Sequence, residues 1–145
     1  MNTYIEEIKS AEPKYVDAIQ VLLRQLTSSP VKFSLETLEQ IVTSDASRLF
    51  VVFCDGEIAG MLTLCSYLTP TGPKSWVEDV VVDQRFRGHH LGRQLVEHAI
   101  EKAKLVNENV LMLTSKPARV AANALYRSVG FQGKETNVYK MDFKE

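Results

Sequence analysis

Three consecutive valines, Val80-Val81-Val82, run straight into Asp83-Gln84-Arg85-Phe86-Arg87-Gly88-His89-His90. A helical spacing of apolar residues then starts at once with Leu91, Leu95, Val96, Ala99 and Ala103. A further apolar run, Val110 to Leu113, follows that helix. Strand, helix and strand in this order make a crossover unit, which is right-handed and sets its two strands parallel. The chain is thereby restricted to sheets that hold a parallel pair with a helix packed on one face.

The flanking sequence fills in the rest. Residues 3–9 (TYIEEIK) read as a first strand. From Pro13 the apolar residues Tyr15, Val16, Ile19, Leu22, Leu23 and Leu26 recur every three or four positions. That is the inner face of a helix with proline in its first turn. Ser34 opens a second helix, whose face is Leu35, Leu38, Ile41 and Val42 and whose Glu36 and Glu39 sit near its positive end. Leu49–Cys54 and Ile58–Leu68 are strand-like runs joined by Asp55-Gly56, a hairpin-turn pair. Residues 69–74 (TPTGPK) read as a loop, and Trp76–Val82 as the next strand. Pro117–Val129 reads as a helix ended by Gly130, and Thr136–Phe143 as a last strand. The expected class is mixed α/β (α+β): a mostly antiparallel twisted sheet with helices on both faces, in the order β-α-α-β-β-β-α-β-α-β.

A length of 145 residues fits one domain, here 1–145, and 45% hydrophobic against 24% charged residues is a globular balance. A formal net charge of −1 gives no chain-wide attraction to nucleic acid or to an anionic membrane. No apolar run approaches the roughly 18 residues of a membrane-spanning helix. The N-terminal stretch MNTYIEEIKSAEPK is acidic where a secretory signal is basic and then apolar. Cys54 and Cys65 lie in strand-like runs without disulfide or zinc spacing, and they read as small buried hydrophobes in a reducing, cytoplasmic setting. His89 and His90 are adjacent, and His98 lies two turns along the helix with no carboxylate or thiol to complete a set. No metal is expected.

The turn after Val82 carries the chemistry. Free N–H groups and the helix dipole at the start of a helix attract anions, and Gly88 and Gly92 let backbone approach a ligand closely. Arg87 and Arg93 add charge that suits phosphate. The plainer alternative is a sharp corner whose arginines form a solvated rim. The spacing is neither a Walker A loop nor a GxGxxG dinucleotide fingerprint.

Arg87-Gly88-His89-His90-Leu91-Gly92 resembles the acetyl-coenzyme A pyrophosphate loop of the GNAT superfamily of N-acetyltransferases, [RQ]-x-x-G-x-[GA]. Arg87 and Gly92 match its ends, and His90 replaces its central glycine. Asn123-Ala-Leu-Tyr126-Arg-Ser-Val-Gly130-Phe131 is similar to a second signature of that family, N-x-x-Y-x-x-x-G-F. The order of elements is also the family's, so the resemblance extends over nearly the whole chain.

The resemblance implies acetyl-coenzyme A as co-substrate, held by Val80, Val81 and Val82 through main chain and by Arg87, Gly88, His89, His90, Leu91, Gly92 and Arg93. It implies Asn123 against the pantetheine arm and Tyr126 as hydrogen-bond or proton donor to the departing coenzyme sulfur. A phenol with a pKa near 10 keeps its proton at neutral pH. An alkylammonium must lose a proton before its nitrogen attacks, and Glu78, directly or through water, is the implied base. Asp79 is assigned to structure or to the substrate side, because strand alternation sends adjacent side chains to opposite faces. The plainer alternatives are a salt-bridged edge carboxylate for Glu78, core filling for Tyr126 and an exposed helix polar for Asn123.

The leading reading is therefore transfer of acetyl to a primary amine of a small molecule, by direct attack in a ternary complex. Transfer to peptide or protein amines, a non-catalytic acyl-coenzyme-binding regulatory module and a ligand-free interaction domain are the alternatives. Relatives of this kind often pair into homodimers, and the last strand offers an edge for that.

Overall fold

The structure is a computed structural model that describes residues 1–106 and 110–144. Its contacts divide the chain into two compact units, Met1–Thr114 and Ser115–Glu145.

The first unit holds a five-stranded sheet in sequential order: β1 (Thr3–Glu7), β2 (Ser47–Cys54), β3 (Glu57–Thr69), β4 (Gly72–Val82) and β5 (Leu111–Met112). The first four strands pair antiparallel, and β4 pairs β5 parallel, as the crossover pattern requires. Three helices accompany them: α1 (Pro13–Leu26), α2 (Leu35–Thr43) and α3 (Leu91–Val106). Pro13 occupies the first turn of α1, where its missing N–H costs nothing. The Ser34 hydroxyl caps α2 by accepting the Thr37 N–H at 3.1 Å.

Four consecutive buried residues in β2, Leu49 to Val52, show that both faces of the sheet are covered. Leu49, Val51, Met61 and Val81 pack with Ile19 and Leu22 of α1 and Leu38 of α2. Phe50 and Val52 point the other way, to α3, where the Phe50 ring meets His98 edge-on at 4.9 Å. Gly60 sits where β3, β4 and α3 converge. A Cβ there would lie 2.9 Å from the Val81 carbonyl oxygen and 3.3 Å from Leu95 Cδ1, so only glycine fits.

Two local expectations are corrected. Residues 69–74 are not a loop: Thr69 pairs with Gly72 and Leu68 with Pro73, leaving only Pro70 and Thr71 as the turn. Hairpin closure outweighs the proline and glycine content. The β4 ladder also contains a bulge, because Thr63 faces Glu78 while Met61 faces Val81, which sets Asp79 and Val80 together against Leu62. Asp79 takes φ +51°, a left-handed conformation that aspartate tolerates better than most residues.

The second unit contains α4 (Val120–Ser128), shorter by three residues at its start than Pro117–Val129 predicts. Gly130 follows its end with φ +113°. The expected last strand does not form: residues 136–143 adopt no regular structure, and Val138, Tyr139, Met141 and Phe143 are exposed, Phe143 at 91%. An apolar alternation makes a strand only where a neighbouring backbone accepts its hydrogen bonds. The links found there are short-range, from Asn137 to the Tyr139 hydroxyl and from Lys140 to Asp142.

Candidate functional site

The bulge decides where Glu78 stands. Without the extra residue, Glu78 would share a face with Val80 and Val82. With it, Trp76, Glu78 and Val81 lie on one side, because their partners Cys65, Thr63 and Met61 alternate regularly along β3. Glu78 is exposed just past the end of the core that α1 and α2 cover. Partial burial pushes its carboxyl above the usual range, and the neighbouring Asp79 charge adds to this. Burial also raises the Cys65 thiol, with both carboxylates contributing. The register sets Glu78 opposite Thr63, on the row of Met61 and Val81, whereas Asp79 falls with Val80 in the bulge, beside Leu62 of the other row.

β4 pairs β5 only at Ser75–Leu111 and Trp76–Met112. From Val77 onward this side of β4 has no strand neighbour among the described residues. Val80 is half-buried within the bulge, and Val81 is buried in the core. The Val82 carbonyl accepts Arg87 Nε at 3.1 Å, folding the arginine back over the end of its own strand.

Between β4 and α3 the chain makes one 3-10 turn, Gln84–Phe86, organised by Asp83. This carboxylate is only 2% exposed, accepts the Arg85 N–H at 3.0 Å and receives the Arg85 guanidinium at 3.1 and 3.3 Å. Burial alone would raise its pKa, but these bonds, with a contribution from Gln25, outweigh it and hold the acid below its ordinary value. The Gln25 side chain of α1 also accepts the Gln84 N–H at 2.8 Å, which ties the turn to the helix layer. Composition marked neither residue as part of the site. Asp83 did carry a signal, since an aspartate two residues before the amide it accepts is the usual turn-forming spacing, whereas Gln25 carried none.

Past the turn, Arg87, Gly88, His89 and His90 are exposed. Gly88 has φ +88°, and nothing lies within 4 Å of where its Cβ would be. His90 has φ +62°, so the residue that replaces the loop's glycine is held in the backbone region glycine favours. Its carbonyl accepts the Gln94 N–H at 3.1 Å, the first bond along α3. Leu91 is buried and anchors the helix start, Gly92 is half-buried, and the exposed Arg93 pairs with Glu97 at 2.8 Å. Amides of a first helical turn, an open glycine corner and flanking arginines form a donor set that fits a diphosphate.

Asn123 and Tyr126 belong to the second unit. The Asn123 side-chain amide donates to the Lys116 carbonyl at 3.0 Å, which orders the entry to α4. Tyr126 is 6% exposed, and burial pushes its phenol above the ordinary value while Arg119 pulls against that rise. Among the described residues no three His, Cys, Asp or Glu side chains gather as a metal site, and no helix is long and apolar enough to cross a membrane.

Sheet and turn together define a mixed-sheet protein with a glycine-bearing strand–turn–helix. The chain belongs to the Acetyltransferase (GNAT) family, whose model matches residues 16–131. A curated relative, N-alpha-acetyltransferase 30 of Dictyostelium discoideum, is 22% identical over 120 residues, covering 83% of this chain and 63% of the relative. The chain thus spans less than two-thirds of that protein's length. Among solved structures, glucosamine-6-phosphate N-acetyltransferase from Arabidopsis thaliana superposes with TM-score 0.79 at 23% identity, covering 99% of this chain and 100% of that one. The aminoglycoside N-acetyltransferase AAC(6')-Iy, solved in complex with CoA, superposes with TM-score 0.81 at 17% identity, covering 99% and 96%.

Proposed function

We propose that this protein moves the acetyl group of acetyl-coenzyme A to a primary amine of a small molecule, by direct attack while both substrates are bound. The observation that carries this reading is the turn after β4, where Gly88 and His90 both adopt left-handed backbone immediately before α3. The coenzyme supplies an acetyl thioester. First-turn amides of α3, with Arg87 and Arg93, hold its diphosphate, and the main chain of Val80 to Val82 lines its arm where β4 has left β5. An amide fixed there meets the carbonyl oxygen as negative charge develops, an interaction worth about 3–4 kcal/mol per donor in a dry cleft.

Glu78 takes the proton from the incoming ammonium. Its raised pKa narrows the gap to an amine near 10 and makes the transfer easier. Tyr126 keeps its proton at neutral pH, since burial raises the phenol further, and donates to the departing sulfur. Asn123 supports the pantetheine arm, and the two free cysteines suit a cytoplasmic setting. The name of the Dictyostelium relative favours a second acceptor class, protein α-amines.

Calorimetric titration with acetyl-coenzyme A tests the reading, run beside a Gly92→Glu variant whose carboxylate repels the diphosphate. Saturable binding that the variant loses is the expected result, followed by turnover in an amine screen. Absence of binding by the unaltered protein overturns it.

A further inference from the structure

The face of the β3–β4 hairpin that bears Glu78 also bears the chain's single tryptophan. Thr63 stands opposite Glu78, Cys65 opposite Trp76 and Tyr67 opposite Lys74, and residues two apart on a strand share a face. Met61 and Val81, at the inner end of this row, are covered by α1 and α2. Farther out, Thr63, Cys65 and Trp76 are half-buried, and Tyr67 and Glu78 are exposed. The row is thus an open continuation of the core face.

Trp76 Nε1 donates to the Tyr67 hydroxyl at 2.9 Å. The bond satisfies the indole's one donor and fixes the ring, so what remains for a ligand is flat aromatic surface. Glu78, opposite Thr63 and two residues from Trp76, brings a carboxylate to the same row. A fixed aromatic surface beside a carboxylate is complementary to an ammonium whose carbon skeleton can lie flat.

We propose that Tyr67, Trp76 and Glu78 form the acceptor platform, and that it selects a primary ammonium carried one to three bonds from a ring that rests on Trp76. An aromatic ring, through its π face, and a sugar ring, through its C–H face, each cover the indole. A linear diamine reaches Glu78 but covers little of the indole. The proposal rests on the acetyltransferase reading for the reaction, though not for the binding of the amine.

Because Trp76 is the only tryptophan, the protein's own emission reports directly on this face. Phenethylamine, glucosamine, putrescine and a short peptide with a free N-terminus are titrated into the protein with and without saturating CoA. Saturable change in emission with phenethylamine or glucosamine, and a weaker response to putrescine and peptide, is the expected result; the stronger of the first two identifies the ring. Equal responses to all four, or none with either ring amine, overturn the proposal. In turnover, Trp76→Ala should raise KM for the ring amine about tenfold with kcat little changed, and Trp76→Phe should restore most of it. A ring-amine response in a protein that binds no CoA would retain the platform and refute acetyl transfer, so the two readings fail separately.

Discussion

The Tyr126 and Phe131 rings meet edge to face with centroids 6.0 Å apart, and the Phe131 N–H bonds back to the Tyr126 carbonyl at 3.0 Å. With the Gly130 N–H on the Arg127 carbonyl at 3.1 Å, this is a Schellman ending of α4. The glycine is left-handed and an apolar contact closes over it. The Y-x-x-x-G-F spacing therefore has a structural cause of its own, since the tyrosine and phenylalanine of such a motif must touch.

Gly130→Ala forces an L side chain into φ +113° and should cost about 1–2 kcal/mol. Hydrogen exchange should show faster opening at Val129, Gly130 and Phe131 and no change in the β2–β4 ladder. Uniform loss of protection across the chain would show that the motif is not a local clamp.

His90→Gly removes a non-glycine residue from φ +62°. Relief of that strain exceeds the extra chain entropy of glycine, so a gain of about 0.5–1 kcal/mol is expected. His90→Val, with its branched Cβ, should move the melting temperature the other way. Equal melting temperatures for all three proteins would mean the loop relaxes freely.

Gly60→Ala places a methyl group 2.9 Å from the Val81 carbonyl oxygen. Overpacking at that junction should cost about 1–3 kcal/mol. Urea unfolding should show a lower midpoint at unchanged slope, and an unchanged midpoint would contradict the close approach of β3, β4 and α3.

Asp83 is buried and its pKa is held below the ordinary value, so its charge stabilises the folded protein above that value. This stability is lost as pH falls through the folded pKa. Asp83→Asn should therefore cost about 1–3 kcal/mol near neutrality, and the difference from the parent should shrink in acid. A constant difference from neutral to acid pH would remove the carboxylate's charge from the account.

Glu78 is raised by burial and then by Asp79, so the acidic limb of kcat/KM should lie above the ordinary range of a glutamate. Asp79→Asn keeps a residue that tolerates φ +51° and removes the neighbouring charge. Glu78 then ionises more readily, and the limb should move to lower pH. If it stays in place, a group other than Glu78 governs that limb.

What the sequence made legible was local. The inner faces of α1, α2 and α3, the Ser34 cap, the Asp55-Gly56 turn and the parallel crossover all rest on patterns a few residues long, and the structure has each of them. The residues of the turn before α3 were found for the same reason. Features that depend on the fit between separate segments were not legible. The bulge at Asp79 exists because β3 and β4 must bury Met61 beside Val81 and also Leu64 beside Val77, which strict alternation forbids. TPTGPK has a loop's composition but closes as a tight hairpin. The apolar alternation of 136–143 carries no information on whether a neighbouring strand is there to receive it.

The two-residue turns at Asp55-Gly56 and Pro70-Thr71 also bear on how the sheet assembles. They let β2, β3 and β4 pair by closing very short loops, on a timescale of about 1–10 μs per hairpin. β1 pairs with β2 across both α1 and α2, and its arrival is clasped at Asp55: the Asn2 N–H reaches the Asp55 carboxylate and the Asp55 N–H reaches the Asn2 carbonyl, each at 2.8 Å. Closing that long loop carries most of the chain-entropy barrier. The residue that turns the first hairpin is thus also the one that catches the returning N-terminus, and folding of the first unit should be paced by that capture rather than by the meander itself.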